Sequence, residues 1–134
     1  MKTLFTSLLL IAASCSFGQY FQSLDTIKAP ANLENIYSRP IYSDSLVSSF
    51  VIFIKKEVKA HKHIAHSEHV YILEGKGDMT VGNKTLEVKK GDMVFIPKNT
   101  MHSLKVLSSS PVKVLSVQSP FFDGKDRVMI EENK

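Results

Sequence analysis

The chain has a single cysteine, Cys15, and it stands near the N-terminus. A metal site made of several thiolates is therefore excluded, and any site further along the chain must use nitrogen and oxygen ligands. After residue 33 the sequence also lacks a sustained apolar repeat with a period of 3.6 residues. We therefore expect no helix in that part of the chain.

Clusters of basic residues are lacking as well. The chain has 17 lysines and arginines against 13 acidic residues, a net charge of +4, and its lysines are scattered. A nucleic-acid surface needs basic side chains that lie together with aromatic residues between them. We expect no nucleic-acid partner.

The apolar run at residues 4–13 is too short and too poorly flanked to remain as a membrane span. Lys2 precedes this run, and Ser16 and Gly18 place small residues at positions −3 and −1 of a cleavage point. This pattern is typical of a secretory signal. We expect a signal peptide over residues 1–18, cleavage near Gly18, and a secreted or periplasmic product.

The same segment allows a second interpretation. Ala12-Ala13-Ser14 stands directly before Cys15, as in a lipoprotein signal whose cysteine is acylated. Alanine fits the −3 position of such a signal less well than leucine would, so we favour the soluble product. The two alternatives differ only in whether the domain is tethered.

A chain of 134 residues is long enough for one domain and too short for two. We expect a lead-in over residues 19–33, the domain over 34–120 and a C-terminal tail over 121–134. About nine short strand-like segments, separated by glycine-containing turns, predict an all-β antiparallel sandwich or barrel. Residues 49–54 (SFVIFI) form a continuous apolar run, as in a strand covered on both faces.

Three histidines and one glutamate form the most informative pattern. His61 and His63 are two residues apart, so on a strand their side chains leave the same face. Glu68 has the opposite parity, which requires a turn within residues 64–67 before the next strand returns the carboxylate. His102 follows about forty residues after His61. These four side chains could converge on one metal ion.

Glycine and proline extend this pattern into two motifs. The chain reads His61-x-His63-x4-Glu68-x6-Gly75 and then Gly91-x5-Pro97-x-Asn99-x2-His102. Both stretches resemble the two motifs of the cupin family, Gly-x5-His-x-His-x3–4-Glu-x6-Gly and Gly-x5-Pro-x-Gly-x2-His-x3-Asn. The resemblance covers roughly residues 45–118.

Three positions depart from the cupin motifs. Lys55 or Lys56 stands where the first motif begins with glycine, and Val106 replaces the final asparagine of the second. Asn99 replaces a glycine, a mild change because asparagine tolerates a positive φ better than other non-glycine residues. None of these changes removes a metal ligand.

The resemblance implies a small jelly-roll barrel, the double-stranded β-helix of a small single-domain cupin of the exported bacterial type. It also implies that His61, His63, Glu68 and His102 bind one divalent transition metal, whether iron, manganese, nickel, copper or zinc. An octahedral ion would keep two positions for an oxygen-containing substrate or dioxygen. A closed tetrahedral zinc with the same ligands would be structural.

Parity assigns roles to the neighbours of Glu68. Val70 and Ile72 share its inward face and are expected to line an apolar pocket beside the metal, whereas His69 and Tyr71 are expected to face away. Glu68 itself is a candidate catalytic base, since it could loosen from the metal, as the resemblance to quercetinase-like cupins permits.

Three other side chains are expected to have structural roles and not to bind the metal. His66 falls in the turn and is expected to be a solvated loop residue, unless a shorter turn lets it replace His63 as a ligand. Phe95 is expected to close the barrel floor, and Met93 to fill a gap in the core.

Two functions are compatible with this pattern, because the fold alone does not choose a reaction. One is a metal-dependent enzyme acting on a small oxygenated molecule, such as a dioxygenase or an isomerase. The other is a non-catalytic periplasmic cupin that binds a metal or a small, sugar-like ligand.

Outward apolar residues such as Tyr71 and Leu73 and open sheet edges must be covered in some way. Cupins of this size commonly pair, so the resemblance implies a homodimer with Tyr71 at the contact or beneath the N-terminal strands.

Overall fold

The computed structural model of the protein describes residues 20–131. The expected signal peptide and Cys15 lie outside the described residues. Ten strands follow one another along the chain: β1 (Ile36–Ser43), β2 (Ser48–Ile54), β3 (Glu57–Lys62), β4 (Ser67–Glu74), β5 (Lys76–Val81), β6 (Lys84–Lys89), β7 (Met93–Ile96), β8 (His102–Val106), β9 (Val112–Ser119) and β10 (Val128–Met129).

The strands form two five-stranded sheets in which neighbouring strands are antiparallel. One sheet has the order β1-β2-β9-β4-β7 and the other has the order β10-β3-β8-β5-β6. A single 3-10 turn at Leu24–Thr26 is the only helical segment of the described residues. The all-β prediction and the double-stranded β-helix of the jelly roll are both confirmed.

The main hydrophobic core lies between the sheets. Its members are the buried side chains of Ile54, Val70, Ile72, Met79, Val88, Ile96, Leu104, Val112 and Val114. Along β4, Glu68, Val70 and Ile72 are buried, whereas His69 and Tyr71 are exposed. The parity argument for this strand is therefore correct.

The segment before β1 packs against the outer side of β2. Ile27 and Leu33 form a second buried cluster with Val51 and Phe53, which leave β2 on the face opposite the main core. The apolar run at residues 49–54 is thus covered on both faces, as predicted. Lys113 on β9 is only 1% exposed and also contacts the segment before β1, because its Nζ donates to the Leu24 carbonyl at 2.8 Å.

Two expectations for β7 are wrong. Phe95 does not close the barrel floor and Met93 does not fill the core, because their side chains are 52% and 64% exposed on the outer face. The strand alternates so that Val94 and Ile96 are the more buried residues. Phe95 instead contacts the ring of His69 on the neighbouring strand, with 4.9 Å between ring centroids.

Within residues 20–131 no helix is long and apolar enough to cross a bilayer.

Candidate metal centre

Three buried imidazoles meet at one end of the space between the sheets. His61 on β3 and His102 on β8 are paired directly across the two strands, and their ring centroids lie 4.1 Å apart. His63 follows the end of β3, with its ring centroid 5.1 Å from that of His61 and 5.2 Å from that of His102. One ring nitrogen from each histidine lies within 4.8 Å of the other two.

Backbone carbonyls hold all three rings in the same tautomer. His61 Nδ1 donates to the Lys59 carbonyl at 2.8 Å, and His102 Nδ1 donates to the Thr100 carbonyl at 3.0 Å. His63 Nδ1 donates to the carbonyl of Asp126. Each Nε2 is then left with a free lone pair, which is how metal-binding histidines are held in proteins.

The Nε2 atom of His102 is buried and has no hydrogen-bond partner among the described residues. Buried polar atoms are seldom left without a partner. A metal ion would satisfy this atom together with the Nε2 atoms of His61 and His63. The residues present therefore fit a bound metal.

Glu68 lies beside two of the three imidazoles. Its Oε2 is 3.5 Å from Nε2 of His63 and 3.5 Å from Nε2 of His102, while Ser116 Oγ donates to its Oε1 at 2.5 Å. Burial opposes ionisation of Glu68, but the interactions with His102, His63 and Ser116 outweigh it and hold the pKa well below its usual range. The fourth predicted ligand is therefore a carboxylate at neutral pH.

The imidazoles differ in how readily they take a proton. Burial, followed by the proximity of His102, lowers the pKa of His61 to about 4. Burial acts in the same direction on His63, but its interaction with Glu68 outweighs burial and raises the pKa. His61 therefore keeps its lone pair in mild acid, whereas protonation of His63 competes with metal binding nearer neutrality.

A largely apolar cavity of about 570 Å³ opens beside these four residues. Val70, one of the two predicted pocket residues, lines it together with Ile96 and Leu104. Ile72 is fully buried in the hydrophobic core, and the cavity-lining residues do not include it.

Comparison with known proteins identifies the fold family. The profile of the cupin domain matches residues 50–118, about half of the chain. The chain belongs to the cupin family.

Relatives of this cupin extend from archaea to bacteria. An uncharacterized protein of Methanocaldococcus jannaschii is 36% identical over 81 residues, which cover 60% of this chain and 65% of that protein. Quercetin 2,3-dioxygenase of Bacillus subtilis is 35% identical over 60 residues, which cover 45% of this chain and 18% of the enzyme. The chain thus spans less than two thirds of either relative.

A solved structure shows the same fold. An uncharacterized conserved protein of Klebsiella pneumoniae with a double-stranded β-helix domain superposes with a TM-score of 0.71. It is 18% identical, and the superposition covers 84% of this chain and 98% of the other.

Asn99 of the second cupin motif has the positive φ that its position requires. Its φ is 58°, in the left-handed region that the usual glycine adopts easily. The Asn99 N–H donates to the His63 carbonyl at 2.5 Å. The second motif therefore supports a ligand of the first through its backbone as well as supplying His102.

The interpretation of His66 as a solvated residue is wrong. His66 is only 7% exposed, and its Nδ1 hydrogen bonds to Asp126 Oδ2 at 2.5 Å. Its Nε2 contacts the Phe121 carbonyl at 2.9 Å, so both ring nitrogens are occupied by the tail. The metal-binding trio does not include it.

Asp126 connects the C-terminal tail to the metal centre. Its carboxylate accepts the N–H groups of Ile64 and Ala65, both at 2.8 Å, and its carbonyl accepts His63 Nδ1–H. Desolvation opposes ionisation, but the hydrogen bonds from His66 and these two N–H groups lower the pKa of Asp126. The turn that carries His63 is thus held by the tail.

Two further contacts fix the tail. The ring of Phe122 stacks edge-on against His63 and His66, at centroid distances of 5.2 and 5.1 Å. Beyond Asp126, β10 pairs with β3, with Met129 opposite His61. Sequence reasoning missed these residues. Their only sequence signal was the Phe121-Phe122 pair, which could have covered an edge or a neighbouring molecule.

Proposed function

We propose that this cupin is a metal-dependent enzyme of dioxygenase type that acts on a small oxygenated molecule. The observation that supports this proposal best is the meeting of three Nε2 lone pairs and one ionised carboxylate beside a largely apolar cavity. Such a cavity can enclose an apolar substrate and exclude water from it.

His61, His63, His102 and Glu68 would hold one divalent ion, from the set iron, manganese, nickel, copper and zinc. Three neutral imidazoles and one carboxylate leave a divalent ion with a net charge of +1. The ion would supply Lewis-acid chemistry and coordination positions for oxygen atoms.

The chain's own residues prepare the site in two ways. The carbonyls of Lys59, Thr100 and Asp126 accept the Nδ1 protons, so that in each neutral imidazole the lone pair is on Nε2. Ser116 holds Glu68 in place, and the low pKa of this carboxyl suits a ligand better than a base. The role of Glu68 as a catalytic base stays a prediction.

The dioxygenase type is favoured over the isomerase type by the likeness to quercetin 2,3-dioxygenase. The test is oxygen uptake by protein loaded with each of the five metals in turn, with quercetin and catechol as probes. We expect uptake that depends on both probe and metal and that is lost in His102→Ala. Absence of uptake and of product with every metal would favour the non-catalytic periplasmic binder of a sugar-like ligand.

We propose that the protein is exported and that residues 1–18 are removed as a signal peptide. The proposal depends on the sequence pattern alone. Mass spectrometry of the exported protein is expected to show a chain that begins near Gln19 and carries no acyl group. A diacylglycerol adduct on Cys15 would instead establish the lipoprotein alternative.

We propose a homodimer formed through the outer face of β4 and β7. Tyr71, Met93 and Phe95 are exposed there. Tyr71→Glu is expected to shift the protein to monomer in multi-angle light scattering, because it places a charge on an apolar contact. Leu86→Glu is the matched control, since Leu86 is an exposed apolar residue of the other sheet. A wild-type protein that is monomeric at high concentration would contradict the proposal.

A further inference from the structure

Gln118 carries a buried acceptor without a partner in the wall of the cavity. This residue of β9 is 5% exposed and lines the cavity, and its Oε1 accepts no hydrogen bond from any described residue. A buried amide oxygen of this kind calls for a donor from a ligand or a water molecule.

The hydrogen bonds of its neighbours fix the orientation of this amide. Ser116 has one hydroxyl hydrogen and donates it to the Glu68 carboxylate. The Ser116 oxygen can then only accept, and Gln118 Nε2 donates to it at 3.4 Å. Rotation of the amide by half a turn would place two acceptors against each other. Oε1 is therefore the amide atom that lacks a partner among the described residues.

Arg127 presents an unpaired cation to the same cavity. It is the only lysine or arginine among the described residues that line the cavity, and no described carboxylate forms an ion pair with it. Arg127 is an exposed residue that lines the cavity. Burial of part of the group lowers the pKa of Arg127, and the charge of Glu68 opposes this effect. Guanidinium groups match carboxylates in geometry and charge.

Asp123, a further charged residue of the cavity lining, is already paired. The Asp123 carboxylate lies 3.5 Å from Lys125 Nζ and accepts the Lys125 N–H at 3.0 Å. A divalent ion with Glu68 would add a further net positive charge beside Arg127. With such an ion bound, the electrostatics of the cavity would therefore favour an anionic ligand.

We infer that the cavity binds a small hydroxy carboxylic acid with an apolar body, whose carboxylate pairs with Arg127 and whose hydroxyl donates to Gln118. This inference deepens the proposed function and rests on it, because it takes the cavity beside the imidazoles as the substrate site.

The test uses the full chain loaded with zinc and titrated calorimetrically with three probes. Mandelate carries both groups, mandelamide lacks the charge, and phenylacetate lacks the hydroxyl. The wild-type protein is expected to bind mandelate about tenfold or more tightly than mandelamide, since hydrogen bonds to charged groups contribute at least that much. Its preference for mandelate over phenylacetate is expected to be smaller, about two- to tenfold, because the bond from the hydroxyl to the Gln118 amide oxygen is neutral.

Two variants separate the contacts. Arg127→Gln is expected to weaken mandelate binding about 10- to 100-fold and to leave mandelamide binding unchanged. Gln118→Met is expected to remove the preference for mandelate over phenylacetate. Lys125→Gln, which removes an equal charge from the same tail, is the control and should bind like the wild type. Zinc content is measured in every variant to show that the metal centre is intact.

The outcomes decide the inference separately from the proposed function. A wild-type protein that binds mandelate no better than mandelamide overturns the inference. The inference is also wrong if Arg127→Gln keeps full discrimination between these probes, because the carboxylate then binds elsewhere. Discrimination that depends on Arg127, in a protein that takes up no oxygen with quercetin, catechol or mandelate, would support the ligand class and reject the dioxygenase.

Discussion

Replacing His102 with alanine is expected to lower the affinity for a divalent metal by more than about 100-fold. Loss of a residue that only hydrogen bonds to a metal ligand lowers the affinity about 10- to 100-fold, and His102 is itself a proposed ligand. The change removes a nitrogen that is buried, held in the ligand tautomer and not hydrogen bonded. It should not unfold the protein, because the only side-chain hydrogen bond that His102 makes among the described residues is the one from Nδ1 to the Thr100 carbonyl. Elemental analysis after dialysis against a weak chelator measures the effect, and circular dichroism checks the fold.

His69→Ala is the matched control for this experiment. His69 lies one residue after Glu68 on β4, but its side chain is exposed on the opposite face. The control should retain full metal content. His66 is unsuitable as a control, because its ring holds Asp126 and its loss would disturb His63 indirectly. Stoichiometric metal in His102→Ala, with loss in His69→Ala, would refute the assignment of the site.

Replacing Asp126 with alanine is expected to weaken metal binding about 10- to 100-fold, although Asp126 is not expected to touch the metal. The carboxylate holds the turn at residues 64–66, and without it the Asp126 carbonyl would no longer be kept against His63 Nδ1. A competition titration with a chelating dye measures the affinity. Trypsin should also cleave faster after Lys125 and Arg127, because the tail is released.

Asp123→Ala is the control, since Asp123 is an exposed acid of the same tail, and Lys125 is the only described residue with which its carboxylate pairs. It should leave both metal affinity and cleavage rate nearly unchanged. Metal binding and the packing of the tail against His63 are thermodynamically linked, so added metal should also slow trypsin cleavage of the wild-type tail. Faster cleavage of Asp126→Ala with unchanged metal affinity would show that His63 is oriented without the tail.

Parity along single strands predicted much of the centre. The two-residue spacing of His61 and His63, and the inward set Glu68, Val70 and Ile72, needed only the alternation of side chains on a strand. The positive φ of Asn99 could also be predicted, because few residues other than glycine and asparagine adopt it.

Parity could not predict which face of β7 is covered. Met93 and Phe95 are apolar, yet they lie on the outside, because Val94 and Ile96 already occupy the core face. All four residues of this strand are apolar, so the sequence shows no alternation that would mark the buried side. Which side chains of β7 face the core is fixed only by its pairing with β4, which places Ile96 opposite Glu68.

The tail could not be predicted either, for a different reason. Asp126 contacts His66 across 60 residues of sequence, and a single acidic residue in a polar segment carries no periodic signal. The interpretation of His66 failed for the same cause, since its burial depends on a partner that no local pattern reveals. Contacts of this kind are set by how distant segments meet in the folded chain.

The position of Asp126 in the chain has a consequence for biosynthesis. A ribosome adds residues from the N-terminus at about 5–20 per second, so the 60 residues between His66 and Asp126 take about 3–12 seconds to appear. His102 is added 36 residues after His66, so only the last 24 of these residues, about 1–5 seconds of synthesis, separate His102 from Asp126. Until Asp126 follows, His63 lacks the carbonyl that orients it. Metal should therefore be captured tightly only after Asp126 has been added and has reached His63.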